Sequence, residues 1–220
     1  ELLRSTRGER DGSLLSAIDR TVTGPGAREL ANRLASPLRD AATIAARLDA
    51  ISFLMAESNA RDALREALKG APDMARATSR LALGRGDPRD LAAVRDALAA
   101  AARCSATLQS AGGAIGLPAE LARSADALAS SSPALADLLT RALVESPGHL
   151  KREGGFVREG FRTDLDDART LRDDSRRVMT ALEATYIEQT GIKTLKVRHN
   201  NILGFYIEVG AQSARPMLAE

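Results

Sequence analysis

Residues 190–209 read TGIKTLKVRHNNILGFYIEV, and their reading decides the fold. Leu195, Val197 and His199 alternate with Lys196 and Arg198. Beyond Asn200, Asn201 and Gly204 the alternation resumes, with Phe205, Ile207 and Val209 on one side and Tyr206 and Glu208 on the other. Period-two alternation on both sides of an Asn/Gly break is the pattern of a β-hairpin. Three cations, Lys193, Lys196 and Arg198, sit in the first arm, against one acid, Glu208, in the second. Such an arm serves either as a contact for a polyanion or as the solvated face of a packing hairpin.

The chain upstream is helical in pattern. Thr163 or Asp164 opens the longest run, which carries Ala168, Leu171, Ser175, Val178, Leu182 and Tyr186 in steps of three and four to about Gln189. Some 26 residues at 1.5 Å each give a rod of about 39 Å with the hairpin at its end. Asp87-Pro88-Arg89-Asp90 is the sharpest boundary. Asp87 is suited to accept the free amide hydrogens of a first helical turn, Pro88 lacks the N–H that would have no partner there, and Asp90 puts negative charge at the positive end of the dipole. Beyond it Leu91, Val94, Leu98, Ala101, Ser105 and Leu108 mark a heptad-like seam ending at 111–113.

Further helices are expected from Ser13 to about Val22, through Leu34 after a break at 23–26, and from an Asp40 cap to about Glu57 with Ile44, Leu48 and Ile51 on one face. Others are expected over 61–69, 72–83 with Gly84 closing, 118–129 and 133–144. Gly154-Gly155 and Gly160 bracket a short extended piece, Phe156-Val157-Arg158. The fold class is therefore mainly all-α, a multi-helix domain with long helices and a short β-hairpin at its C-terminal end.

With 31 basic and 29 acidic side chains the net charge is +2, too balanced to announce a nucleic-acid binder by bulk charge. Aromatics make up 3% and tryptophan is absent, which argues against a base-stacking platform. Only Lys69, Lys151, Lys193 and Lys196 are lysines, so half of them fall in the hairpin arm. The lone Cys104 lies in an Ala-rich run, where a small buried hydrophobe is expected and no intramolecular disulfide can form. No apolar run approaches the ~20 residues of a membrane span, and a cytoplasmic location is expected.

Catalytic readings find little support. Glu153, Glu159, Asp164, Asp166 and Asp167 cluster at the start of the long helix without His or Cys, which reads as dipole complementation. His149 and His199 have no ligand spacing. Some of Arg85, Arg89 and Arg95, and likewise of Arg152, Arg158 and Arg162 around the glycine turns, read as cations that make specific ion pairs within the fold, with a phosphate site at those turns as the lesser reading, since nearby acids would compete. No G-x-x-x-x-G-K-[ST] loop occurs, and Gly84-Arg85-Gly86 lacks the Lys-Ser/Thr a phosphate loop requires.

The hairpin stretch, with Thr-Gly-Ile-x-x-Leu-Lys-Val followed by Gly-Phe-Tyr-Ile-Glu-Val, resembles the entry into the clamp of the MutS family of bacterial mismatch-repair proteins. Four more blocks agree in order: 13–32 (SLLSAIDRTVTGPGARELAN), 37–40 (PLRD), 80–91 (RLALGRGDPRDL) and 152–160 (REGGFVREG). Arg198 and His199 stand where the family often has a Gly and an aromatic, and Met74-Ala75 where an acidic–basic pair is common.

The resemblance implies a core or lever domain over 1–190, its outgoing half, and the beginning of a truncated clamp over 191–220. Such a fragment would be non-catalytic. The clamp grips the DNA backbone without reading sequence, which makes Lys193, Lys196 and Arg198 the candidate backbone contacts. ATP and Mg would belong to an ATPase domain outside this stretch, and no cofactor or metal is expected within it. The parent is expected to bind mismatched duplex DNA, to act as a homodimer with other repair proteins, and to need no membrane. With Glu1 at its start and no obvious terminus at Glu220, the chain reads as the middle of a larger protein. The alternative is a stand-alone helical scaffold that binds a protein partner through its heptad seams.

Overall fold

Asp87 and Asp90 anchor the helix around which the N-terminal residues are organised. In the computed structural model, which describes residues 1–200, 202–211 and 214, this helix (α6, Pro88–Gly112) opens on a reciprocal cap. The Asp87 carboxylate accepts from the amides of Arg89 and Asp90, and the Asp90 carboxylate accepts from the amide of Asp87 at 3.0 Å. Both carboxylates thereby satisfy amide hydrogens that the first turn leaves without helical partners.

The other helices of this unit are α1 (Leu14–Ile18), α2 (Gly24–Ala35), α3 (Ala41–Ala56), α4 (Ser58–Lys69), α5 (Met74–Ala82), α7 (Ala119–Ala129) and α8 (Pro133–Ala142). Helix α6 packs against α4, α5, α7 and α8. Its buried positions therefore cover a wider arc than the expected seam: Ala92, Ala100 and Cys104 are buried beside Val94, Leu98, Ser105 and Leu108. Several partners at once need a broad apolar face, where a single coiled-coil partner needs a stripe. The Ser105 hydroxyl, buried on that face, donates to the Ala125 carbonyl of α7 at 2.9 Å.

The core joins Ala77 of α5 to Ala92, Val94 and Leu98 of α6 and to Leu139 and Leu143, with Leu81 and Phe156 packed against it. Each fully buried Leu or Val there contributes about 1.5–3 kcal/mol. Phe156 reaches the core on the extended piece foreseen between the glycines. Leu143 and Val157 form an isolated antiparallel bridge, and the Arg158 amide donates to the Ala142 carbonyl at 2.8 Å. A 3₁₀ turn, Lys151–Glu153, precedes it.

Several boundaries differ from the sequence expectation. Helix α1 stops at Ile18, because the Asp19 carboxylate accepts from the Thr21 amide and hydroxyl and turns the chain. Helix α2 begins inside the Thr23–Gly26 break, with the Thr23 hydroxyl accepting from the Gly26 amide and Pro25 in its first turn. Helix α4 starts at Ser58, with only Glu57 between it and the end of α3, and α8 ends at Ala142. On α3 the apolar face of Ile44, Leu48 and Ile51 is exposed, as is Met55, and Ala50 is the buried residue. The small Ala50 permits close packing against α4 and α7, which α3 contacts.

Residues 159–220 form a second compact unit. It holds α9 (Thr163–Thr190) and the strands β1 (Lys196–Asn200) and β2 (Gly204–Glu208), paired antiparallel as the only sheet among the described residues. The 28 residues of α9 extend for about 42 Å. None is buried, and Leu171, Val178 and Leu182 of the expected seam are exposed. No helix among the described residues is long and apolar enough to cross a membrane.

Candidate nucleic-acid interface

The end of α9 fixes where the hairpin begins. Gly191 takes a left-handed conformation (φ +70°) that L-residues with a Cβ adopt at a cost, and its amide donates to the Ile187 carbonyl at 2.8 Å. The Thr190 hydroxyl donates to the Tyr186 carbonyl and accepts from the Ile192 amide. A turn closed by the Leu195 amide on the Ile192 carbonyl follows. Ile192 and Leu195 are buried, and Leu195 is the one large side chain with no exposure at all among the described residues.

The strands pair in the register Lys196 with Glu208, Val197 with Ile207, Arg198 with Tyr206, His199 with Phe205 and Asn200 with Gly204. Lys196 and Arg198 therefore share a face with Tyr206 and Glu208, as the alternation predicts. At the connection the Asn200 side-chain oxygen accepts from the amides of Ile202 and Leu203, and Gly204 has φ +69°. Asn201 lies outside the described residues, as does most of the chain beyond Ala211. On the opposite face the rings of His199 and Phe205 pack at a tilt of 58° with centroids 4.7 Å apart.

The three candidate cations are brought to one end of α9, but they are not equivalent. Lys196 Nζ donates to Glu183 Oε1 at 2.8 Å, and Arg198 Nε to Glu208 Oε2 at 3.1 Å. Lys193 is exposed in the 192–195 turn and lies in no ion pair among the described residues. Glu183 also accepts from the Val197 amide at 3.0 Å, so one carboxylate of α9 holds both the side chain and the backbone of β1's first residues. The Lys196 and Val197 hydrogen bonds hold its carboxyl below the usual glutamate range.

All three cations remain exposed. The Arg198–Glu208 pair is exposed on both sides and such pairs are worth only ~0–1 kcal/mol, so an approaching phosphate could replace Glu208 at small cost. The arrangement can hold an anionic backbone. Among the described residues no group of three His, Cys, Asp or Glu side chains is placed to hold a metal ion.

The family model for MutS domain III matches residues 1–209. The chain belongs to that family. The DNA mismatch repair protein MutS of Nitrobacter winogradskyi is 53% identical over 219 residues, which is all of this chain and 24% of that protein. MutS of Azorhizobium caulinodans is 54% identical over 214 residues, 97% of this chain and 22% of that protein. MutS of Rhodopseudomonas palustris is 50% identical over 219 residues, again all of this chain and 23% of that protein. The chain thus spans about a quarter of the length of these MutS relatives.

Other side chains weighed in the sequence have structural partners. Asp164 pairs with Arg162, and Asp166 accepts from the Gly160 amide at 2.7 Å and pairs with Arg169. Arg95 pairs with Asp96 and donates to the carbonyls of Val144 and Glu145, Arg158 donates to Leu143, and Arg89 to Pro147. The cations were expected to form ion pairs; several of them bind carbonyls instead, because loops leave backbone acceptors without partners. Cys104 is buried, and that burial pushes its thiol upward, away from the reactive thiolate form. His149 is exposed.

Two residues that matter here were not found by sequence reasoning. Glu183 carried one signal, a carboxylate near the C-terminal end of a helix, where the dipole disfavours it unless it has a partner. Arg80 closes on the buried Asp90 in an ion pair between α5 and α6.

Proposed function

We propose that this stretch is a mechanical connector of a MutS-type mismatch-repair protein, with residues 1–190 the outgoing half of the core or lever and 191–220 the start of the clamp. The carrying observation is the placement of Lys193, Lys196 and Arg198, all exposed, on a hairpin fastened to the end of a 28-residue helix. A rod of that length transmits a displacement at one end to the other, and a cationic tip holds phosphates without reading bases. The resemblance supports the wider reading: a cytoplasmic homodimer that binds mismatched duplex DNA, works with other repair proteins, and takes ATP and Mg in an ATPase domain outside these residues. On this reading residues 1–220 hold no cofactor and catalyse nothing.

Contact mapping tests the proposal. Residues 1–220 replace their counterpart in the Nitrobacter winogradskyi protein, Cys104→Ala removes the native thiol, and a benzophenone is attached through Thr194→Cys. Illumination should attach the hairpin to both strands of a mismatched duplex with no base preference. A probe at Ser130→Cys on the N-terminal unit should attach far less. Equal labelling from both positions, or labelling confined to particular bases, would overturn it.

A further inference from the structure

Beside α4, α6 and α7 the N-terminal unit has a pocket of about 710 Å³ that opens to solvent. Ala97, Ala100, Ala101 and Cys104 make its floor, and Leu64, Leu68, Leu121 and Leu128 stand along its walls. The size falls within the range of sites that take a small organic molecule, and so does the mostly apolar lining.

The polar groups on its rim give the ligand's charge. The only charged lining residues are Arg61 and Arg65, which lie one turn apart on α4, and no acid lines the space. Arg61 Nη1 donates to the Leu54 carbonyl at 3.3 Å and Arg65 Nη1 to the Arg20 carbonyl at 2.9 Å. Asp62 is 3.5 Å from Arg61 Nε. Each guanidinium has five N–H donors, so donors remain on both after these bonds. Two cations facing an apolar, acid-free space favour an anion with an apolar body.

We propose that this pocket binds a small apolar organic carboxylate, its hydrocarbon part on the alanine floor and its carboxylate against Arg61 and Arg65. The reading is independent of DNA contact, because it uses no residue of 159–220.

Decanoate is a suitable probe, with decanol as its uncharged counterpart, both titrated calorimetrically into the whole chain. Decanoate should bind saturably with one site, and decanol at least about ten-fold more weakly, the loss expected for a charge-assisted contact. Arg65→Gln should bring decanoate close to decanol. Ala101→Leu, which fills the floor, should abolish binding of both while circular dichroism shows the helices intact. Bound decanoate should also raise the melting temperature of the chain, a readout that survives if one variant fails to fold. The proposal is overturned if neither compound binds saturably, if the two bind equally and Arg65→Gln changes nothing, or if Ala101→Leu binds as the parent chain does.

Discussion

Gly86→Ala should destabilise the N-terminal unit through a single contact. Gly86 has no positive φ, so backbone strain is not the reason. A Cβ placed there would lie 2.5 Å from Leu81 Cδ2, 2.8 Å from Leu81 Cγ and 2.8 Å from Leu81 Cα. The last of these is backbone and cannot rotate away. Leu81 packs against the core that joins α5 to α6, so its displacement spreads into that core. Overpacking of this kind costs about 1–3 kcal/mol. For a chain of this size the melting temperature should fall by about 2–4 °C per kcal/mol. Leu81→Ala removes Cγ and Cδ2 and leaves Cα, so the double variant should lose less than the two singles added together, by about 0.5 kcal/mol or more. Gly84, two residues earlier, provides the contrast. Its φ is +69° and a Cβ would meet nothing within 4 Å. Gly84→Asn should therefore be milder than Gly84→Ala, because Asn tolerates the left-handed region, whereas Gly86→Asn should be no milder than Gly86→Ala. Urea unfolding followed by circular dichroism reads all of these. A Gly86→Ala chain within about 0.5 kcal/mol of the parent would refute the close approach of the Gly86 backbone to Leu81 of α5.

Acid should weaken the N-terminal unit through Asp90. The Arg80 guanidinium, and then the Asp87 amide, hold its carboxyl below the ordinary carboxylate range. The stability this supplies is complete above the unfolded value of about 3.9 and is lost as pH falls through the lower folded value. A melting temperature measured from neutral to strongly acid pH should fall less steeply at the acid end in Asp90→Asn than in the parent. The uncovered Leu171, Val178 and Leu182 stripe of α9 should drive self-association. Sedimentation should show a concentration-dependent mass that Leu182→Glu removes; a monomer at all concentrations would count against it. ATP hydrolysis by the chain should be undetectable, since no loop supplies the amides and lysine of a phosphate cradle; turnover that disappears on a point substitution within residues 1–220 would contradict this.

Local chemistry was legible in the sequence and long-range pairing was not. The α6 cap could be read because Asp87, Pro88 and Asp90 act within one turn, and the hairpin register because Asn200 and Gly204 fix it locally. The end of α1 was missed because Asp19 captures Thr21 where the apolar pattern continues. The apolar spacing of Ile44, Leu48 and Ile51 marked a helix and a shared face, but not that this face is exposed, since periodicity gives a stripe and not its partner. Arg80 finds Asp90 only after α5 and α6 cross. The candidate cations were all identified by type and place, yet their inequality was not. Glu208 was visible as the acid opposite them, while Glu183 reaches Lys196 from 13 residues upstream on α9.

The most direct test of the account is the salt dependence of duplex binding, measured with the 220 residues set into the Nitrobacter winogradskyi protein. Each phosphate contact contributes about −0.9 to the slope of log K against log salt. The account predicts that Lys193→Ala, Lys196→Ala and Arg198→Ala together make the slope shallower by up to about 2.7, equally on duplexes of unrelated sequence. An unchanged slope, or a loss confined to one duplex sequence, would contradict the claim that this hairpin holds the DNA backbone.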